Sequence, residues 1–205
     1  MAETTEPQSK FSEKRFVIGC IVLFLSSIVL VLFPLGIYAR SLFITIQPDE
    51  VAVVLSPNAP NGISEIPLTP GNHFVSPLDK LEIFNFSKEK YISSSTNCGC
   101  GPDLVTFHAK EGAEIFVDYQ ITYSINPEQV VKLYQVWQHR YQDGFVIPQS
   151  IKIIGEVASQ YTSSEIALTK RNEVEQAIFS RLKSDFSESN LIVFEFKIDD
   201  VRLNK

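Results

Sequence analysis

Cys98-Gly99-Cys100 is the one arrangement in this sequence whose residue types and spacing could do redox or metal chemistry. Cysteines one residue apart close only a strained disulfide, and a metal site needs three or four ligands in reach. His73, His108 and His139 fall on different predicted elements, and each reads as a surface or turn residue. Ordinary loop thiols, or thiols that pair with a partner's cysteine, are the simpler account of Cys98 and Cys100; a redox or disulfide site is the alternative. Cys20, the third cysteine, lies inside a long apolar run and reads as lipid-facing or helix-packing, so there is no disulfide framework. Asp199-Asp200 imitates an acid/base pair, but neighbours on a strand point to opposite faces. The sequence holds no G-x-S-x-G, P-loop or G-x-G-x-x-G. It therefore predicts no catalytic residue, no metal and no cofactor. The aromatics Tyr134, Trp137 and Tyr141 gather near one helix end. They read as core plus rim, with a subunit interface as the second reading, because aromatic side chains are enriched at interfaces.

The elements around these residues begin with Phe16–Ala39, which carries no charge and is closed by Arg15 and Arg40. A helix of that length rises about 36 Å, enough to cross a hydrocarbon core of about 30 Å. A cleaved signal peptide would have a shorter apolar region ending in small residues, so the run reads as a retained transmembrane anchor. Lys10, Lys14 and Arg15 precede it and only Arg40 follows closely. Positive flanks stay inside, which predicts a cytoplasmic or matrix N-terminus and residues 41–205 on the non-cytoplasmic side. Glu3, Glu6 and Glu13 argue against an acid-poor mitochondrial presequence, and the polar residues 1–15 are expected to be disordered. A net charge of −6 with no basic stripe predicts no nucleic-acid partner.

Behind the anchor, residues 41–96 read as a β-rich unit and 103–205 as a second, α+β unit, with the turn cluster Asn97–Pro102 between them. Ser41–Gln47, Glu50–Ser56, His73–Ser76 and Leu81–Ser95 are strand candidates, interrupted by the proline-rich stretch 57–71. In Ala113–Ile125 the residues Ile115, Val117, Tyr119, Ile121, Tyr123 and Ile125 alternate with Glu114, Asp118, Gln120, Thr122 and Ser124. That pattern predicts a long strand with one buried and one wet face, in a hairpin with Val105–Ala109. Asn126-Pro127 opens a helix carrying Val130, Leu133, Tyr134 and Trp137. A second helix, around Pro148, presents Ile147, Ile151, Ile154, Ala158 and Tyr161 on one face. Thr162–Glu165 is a capping box. A third helix, Thr169–Ser187, turns Val174, Ile178, Leu182 and Phe186 inward. The closing strand Leu191–Leu203 has an even apolar phase (Ile192, Phe194, Phe196, Ile198) and then an odd one (Val201, Leu203), a slip that suggests a bulge or strand end at Asp199-Asp200. The order is an α+β arrangement with helices on one face of a small sheet.

Read as an ordered series, these segments resemble the SPFH or band-7 superfamily of prohibitins, stomatins and flotillins. The likeness is carried by Gln47–Val54, Pro70–Phe74, Thr106–Asp118, Tyr123 with Asn126-Pro127, Ile147–Ile151, Glu156–Ile166 and Ile198–Val201. It covers residues 41–205. The resemblance implies a non-enzymatic membrane-anchored scaffold that assembles laterally. Such a scaffold organises membrane microdomains, or encloses and regulates a membrane complex such as an AAA+ protease. Its implied partners are the lipid bilayer and other SPFH proteins, in homo- or hetero-oligomers. The alternative is a membrane-tethered redox or metal-handling protein using Cys98 and Cys100. Two departures stand out. Asn190 occupies the place of a family glycine before the last strand, where asparagine is the next most tolerant residue for a left-handed turn. The family pattern also runs on into a ring-building coiled coil, whereas this sequence ends at Lys205. The expectation is an oligomer in membranes, alone or with longer family members, and a largely monomeric fragment from residue 41 onward.

Overall fold

The computed structural model describes residues 23–30, 32, 42–94 and 105–203. Residues 23–30 and 32 are helical with exposed side chains, and the Ser26 and Ser27 hydroxyls donate to the carbonyls of Leu23 and Phe24 at 2.8 and 2.7 Å. The rest of the expected anchor Phe16–Ala39, like residues 1–15 and Asn97–Pro102, lies outside the described residues. Among the described residues no helix is long and apolar enough to cross a membrane.

The chain divides into two compact units, of which the smaller takes the chain up to Ile44 together with Asn72–Pro77. Its feature is the ladder of β1 (Phe43–Ile46) with β3 (Gly71–Phe74). The Val75 N–H extends the pairing by donating to the Leu42 carbonyl at 2.9 Å.

In the larger unit β2 (Glu50–Leu55) pairs antiparallel with β4 (Lys80–Asn85), Val51 opposite Phe84. The proline-rich stretch lies along β2 through bridges at Ala52–Leu68 and Leu55–Ile63. The single strand expected over Leu81–Ser95 is two strands in two different sheets. Asn85 Oδ1 accepts from the Ser87 N–H at 2.7 Å, and this side-chain turn breaks the chain before β5 (Glu89–Ser93).

The hub of the second sheet is β7 (Glu114–Ile125). The last strand, β8 (Leu191–Leu203), follows it antiparallel along nearly its whole length. β5 and β6 (Thr106–His108) share the opposite edge, β5 against Tyr119–Tyr123 and β6 against Glu114–Phe116. The odd-numbered face is buried from Ile115 to Ile125, as the alternation predicts. The even face is not wet. Asp118 and Ser124 are buried and Phe116, Gln120 and Thr122 half-buried, because strands flank β7 on both sides.

β8 carries two register shifts against β7, not one. Asp118 pairs with Asp200 and Tyr119 with Ile198, so Asp199 is the extra residue, where the apolar phase slips. Thr122 pairs with Glu195 and Tyr123 with Val193, so Phe194 is a second bulge. Its consequence is a correction: Leu191 and Val193 face the core, while Ile192, Phe194 and Leu203 stay exposed.

Three helices cover the odd face. α1 (Val130–Trp137) follows a short turn, Pro127–Gln129, whose Asn126 side chain accepts from the Glu128 N–H at 3.1 Å. It buries Val130, Val131 and Leu133, leaving Tyr134 and Trp137 at the margin. α2 (Ile147–Ala158) buries Ser150, Ile153, Ile154, Val157 and Ala158. Its inward stripe is therefore rotated from the expected one, and Ile147, Ile151 and Tyr161 are only half-buried. The serine is accommodated because its hydroxyl donates to the Val146 carbonyl. α3 (Arg171–Glu188) buries Val174, Ile178, Leu182 and Phe186 as expected. Before β8, Asn190 takes a φ of 65°, the left-handed turn foreseen for it.

Candidate interaction surface

The three aromatics singled out from the sequence surround the end of α1, and each contacts its own chain. Tyr134 meets the Phe84 ring edge-on at 6.0 Å. Trp137 packs 5.7 Å from Phe145 and lies over Gly144, where a Cβ would stand 3.0 Å from the indole carbons. The Tyr141 hydroxyl sits 3.1 and 3.3 Å from the two carboxylate oxygens of Glu89, donating to them. Burial first, then the Glu89 charge, pushes that phenol above its ordinary range. All three rings also keep part of their surface in solvent.

Between Trp137 and Tyr141 the chain makes an unusual turn. Gln138 has φ 53° and ψ −130°, a conformation that side chains rarely adopt and whose cost is of the order of 1–3 kcal/mol. The turn lays His139 flat on Phe84, with centroids 4.5 Å apart and planes 9° apart, and its Nε2 lies 3.0 Å from Glu82. Lys80 and then His139 hold the Glu82 carboxyl below its usual range. The sequence offered no signal for this cluster, since it joins residues more than fifty positions apart through a strained loop.

Two charged contacts on β8 were equally hidden. Arg202 places its guanidinium 2.8 Å from buried Asp118 and 3.2 Å from Asp200. At Ile198 the strand's own backbone is capped from α3. Its N–H donates to Glu175 at 2.9 Å, and its carbonyl accepts from Arg171. Arg171 and Glu175 are themselves paired at 3.6 Å. They stand where another strand would pair with β8.

Cys98 and Cys100 lie outside the described residues. Among the described residues no group of three or more His, Cys, Asp or Glu side chains could hold a metal ion. His108 lies 3.7 Å from Glu114, and His139 beside Glu82. What the described residues offer here is exposed surface and ion pairs.

A family model, the SPFH domain / Band 7 family, matches residues 44–205. The chain belongs to the SPFH/band 7 family. The match begins at β1 and takes in the mixed α+β fold through β8. No curated protein matches the chain. Band 7 proteins commonly act as membrane scaffolds, generally oligomerise and associate with membranes, and are generally not enzymes.

Proposed function

We propose that this band 7 protein is a non-catalytic, membrane-anchored scaffold that works as a lateral oligomer. Phe16–Ala39 spans the bilayer, the N-terminus is cytoplasmic or on the matrix side, and residues 41–205 lie on the other side. The oligomer, homomeric or shared with other SPFH proteins, organises the surrounding lipid or encloses a membrane complex such as an AAA+ protease. No nucleic acid takes part. The observation that carries this reading is the SPFH match over residues 44–205, starting directly behind an uncharged segment long enough to span. Domains tethered at one height by short connections meet repeatedly in one plane, so weak complementary contacts suffice to assemble them.

Crosslinking in intact membranes, with native sizing after extraction in mild detergent, tests the assembly. A ladder of multimers is expected, and a monomer in both measurements overturns the scaffold. Protease added to sealed right-side-out vesicles tests the orientation. Digestion of the domain is expected, and full protection reverses the topology.

A further inference from the structure

We propose that Phe43 and Phe74 form an aromatic foot that docks into the headgroup layer of the bilayer. This deepens the scaffold reading and rests on its membrane anchor. Both rings are 66% exposed, yet they hold each other edge to face with centroids 5.6 Å apart and planes at 70°. Two large rings displayed side by side mark a surface that meets something apolar.

Three further observations choose lipid as the occupant. The first is reach. Phe43 comes four residues after Ala39, where the apolar run closes. A chain extends at most about 3.6 Å per residue, so Phe43 stays within about 14 Å of the end of that run. The headgroup layer itself takes up about 5–7 Å on each side of the hydrocarbon. The second is the β1–β3 ladder, which ties Phe74 to Phe43 and so confines both rings to the same neighbourhood. The third is charge: neither Leu42–Ile46 nor Gly71–Ser76 contains an Asp, Glu, Lys or Arg, and His73 is the one ionisable side chain in them, so no permanently charged side chain is dehydrated when this edge meets lipid. Aromatic side chains favour the membrane interface, where the ring meets acyl carbon and the rim stays wet. The foot would fix the height and tilt of the β1–β3 ladder against the bilayer.

The full-length Phe74→Trp variant, reconstituted into phosphatidylcholine vesicles, reads this directly. The parent chain has one tryptophan, Trp137, and supplies the background emission. The variant's added emission is expected to be blue-shifted and to lose most of its intensity when the acyl chains are brominated close to the headgroup. Phe43→Trp is expected to behave alike, and guards against a local disturbance at either position. Alkaline carbonate extraction runs in parallel. If carbonate releases the protein, the anchor fails and the foot with it. If the protein stays integral while both variants give water-like, unquenched emission, the foot alone is overturned. Blue-shifted but unquenched emission means that a protein surface covers the pair, which overturns it as well.

Discussion

Arg202, near the end of β8, reaches across to Asp118 in the middle of β7, with Nη2 2.8 Å from Oδ2. In the ladder Arg202 stands opposite Phe116, and Asp200 stands opposite Asp118, so the ion pair is diagonal. It explains how a carboxylate only 7% exposed persists on the second face of the sheet.

Arg202→Met keeps most of the stem and removes the charge, leaving Asp118 without this partner. The Arg202 side chain is 38% exposed, so the loss is discounted to about 1–3 kcal/mol. A lowered thermal midpoint is expected, partly restored in the double variant Asp118→Asn/Arg202→Met. An unchanged midpoint in the single variant would show that water replaces the guanidinium at no cost.

Trp137 and Gly144 make a second paired test. A Cβ at Gly144 would stand 3.0 Å from two indole carbons, so a branched side chain displaces the ring. Gly144→Val is expected to cost about 1–3 kcal/mol through overpacking. Its signature is a red shift in the emission of Trp137 as the indole leaves Phe145. Emission and stability identical to the parent would remove the ring from that seat.

Glu165 supplies the pH dependence. The Thr162 N–H donates to its carboxylate at 2.9 Å, the Glu165 N–H returns to the Thr162 hydroxyl at 3.3 Å, and Lys170 lies 2.8 Å away. Lys170 first, then the Thr162 amide, draws the carboxyl down from 4.5 to about 2. A folded-state value below the unfolded one gives stability that is complete above 4.5 and fades as pH falls towards 2. Glu165→Gln keeps a capping acceptor and loses the charge. Its melting deficit is therefore expected to be present at neutral pH, to shrink below pH 4.5 and to vanish near pH 2. A deficit independent of pH would assign the effect to the cap hydrogen bonds alone.

What could be read in the sequence was whatever a local period or a fixed spacing encodes. The buried odd face through Tyr119, the four-residue spacing from Val174 to Phe186, the capping box at Thr162 and the left-handed Asn190 all stand in the structure as the sequence predicts. The readings that shifted depended on partners distant in sequence. The phase of β8 at Ile192 and Phe194 turns on a bulge set by the β7 register. Asp118 looked solvent-facing until Arg202 was placed across from it. The break at Asn85 needed a side-chain turn that hydrophobicity does not report. Tyr134, Trp137 and Tyr141 were found by type, but their partners Phe84, Gly144 and Glu89 came only with the fold.

The last prediction concerns the edge of β8. The Ile198 N–H donates to Glu175 at 2.9 Å, and the neighbouring Arg171 guanidinium donates to the Ile198 carbonyl. Exposed strand edges invite pairing with another chain, and inward-reaching charges are one way that proteins blunt them. Glu175→Ala leaves the amide without its acceptor, for an expected loss of about 1–2 kcal/mol. Glu175→Gln retains a carbonyl oxygen at the same place and loses only the helical pairing with Arg171, for about 0.3–0.5 kcal/mol. The split between Ala and Gln separates hydrogen bonding from charge. Removing both caps in Arg171→Ala/Glu175→Ala frees the donor and the acceptor together. In detergent, that double variant is expected to form larger, concentration-dependent species rich in β-structure, while Glu175→Gln keeps the parent's size distribution. Equal size distributions in all three would mean that the two bulges at Phe194 and Asp199 are enough to keep this edge from pairing.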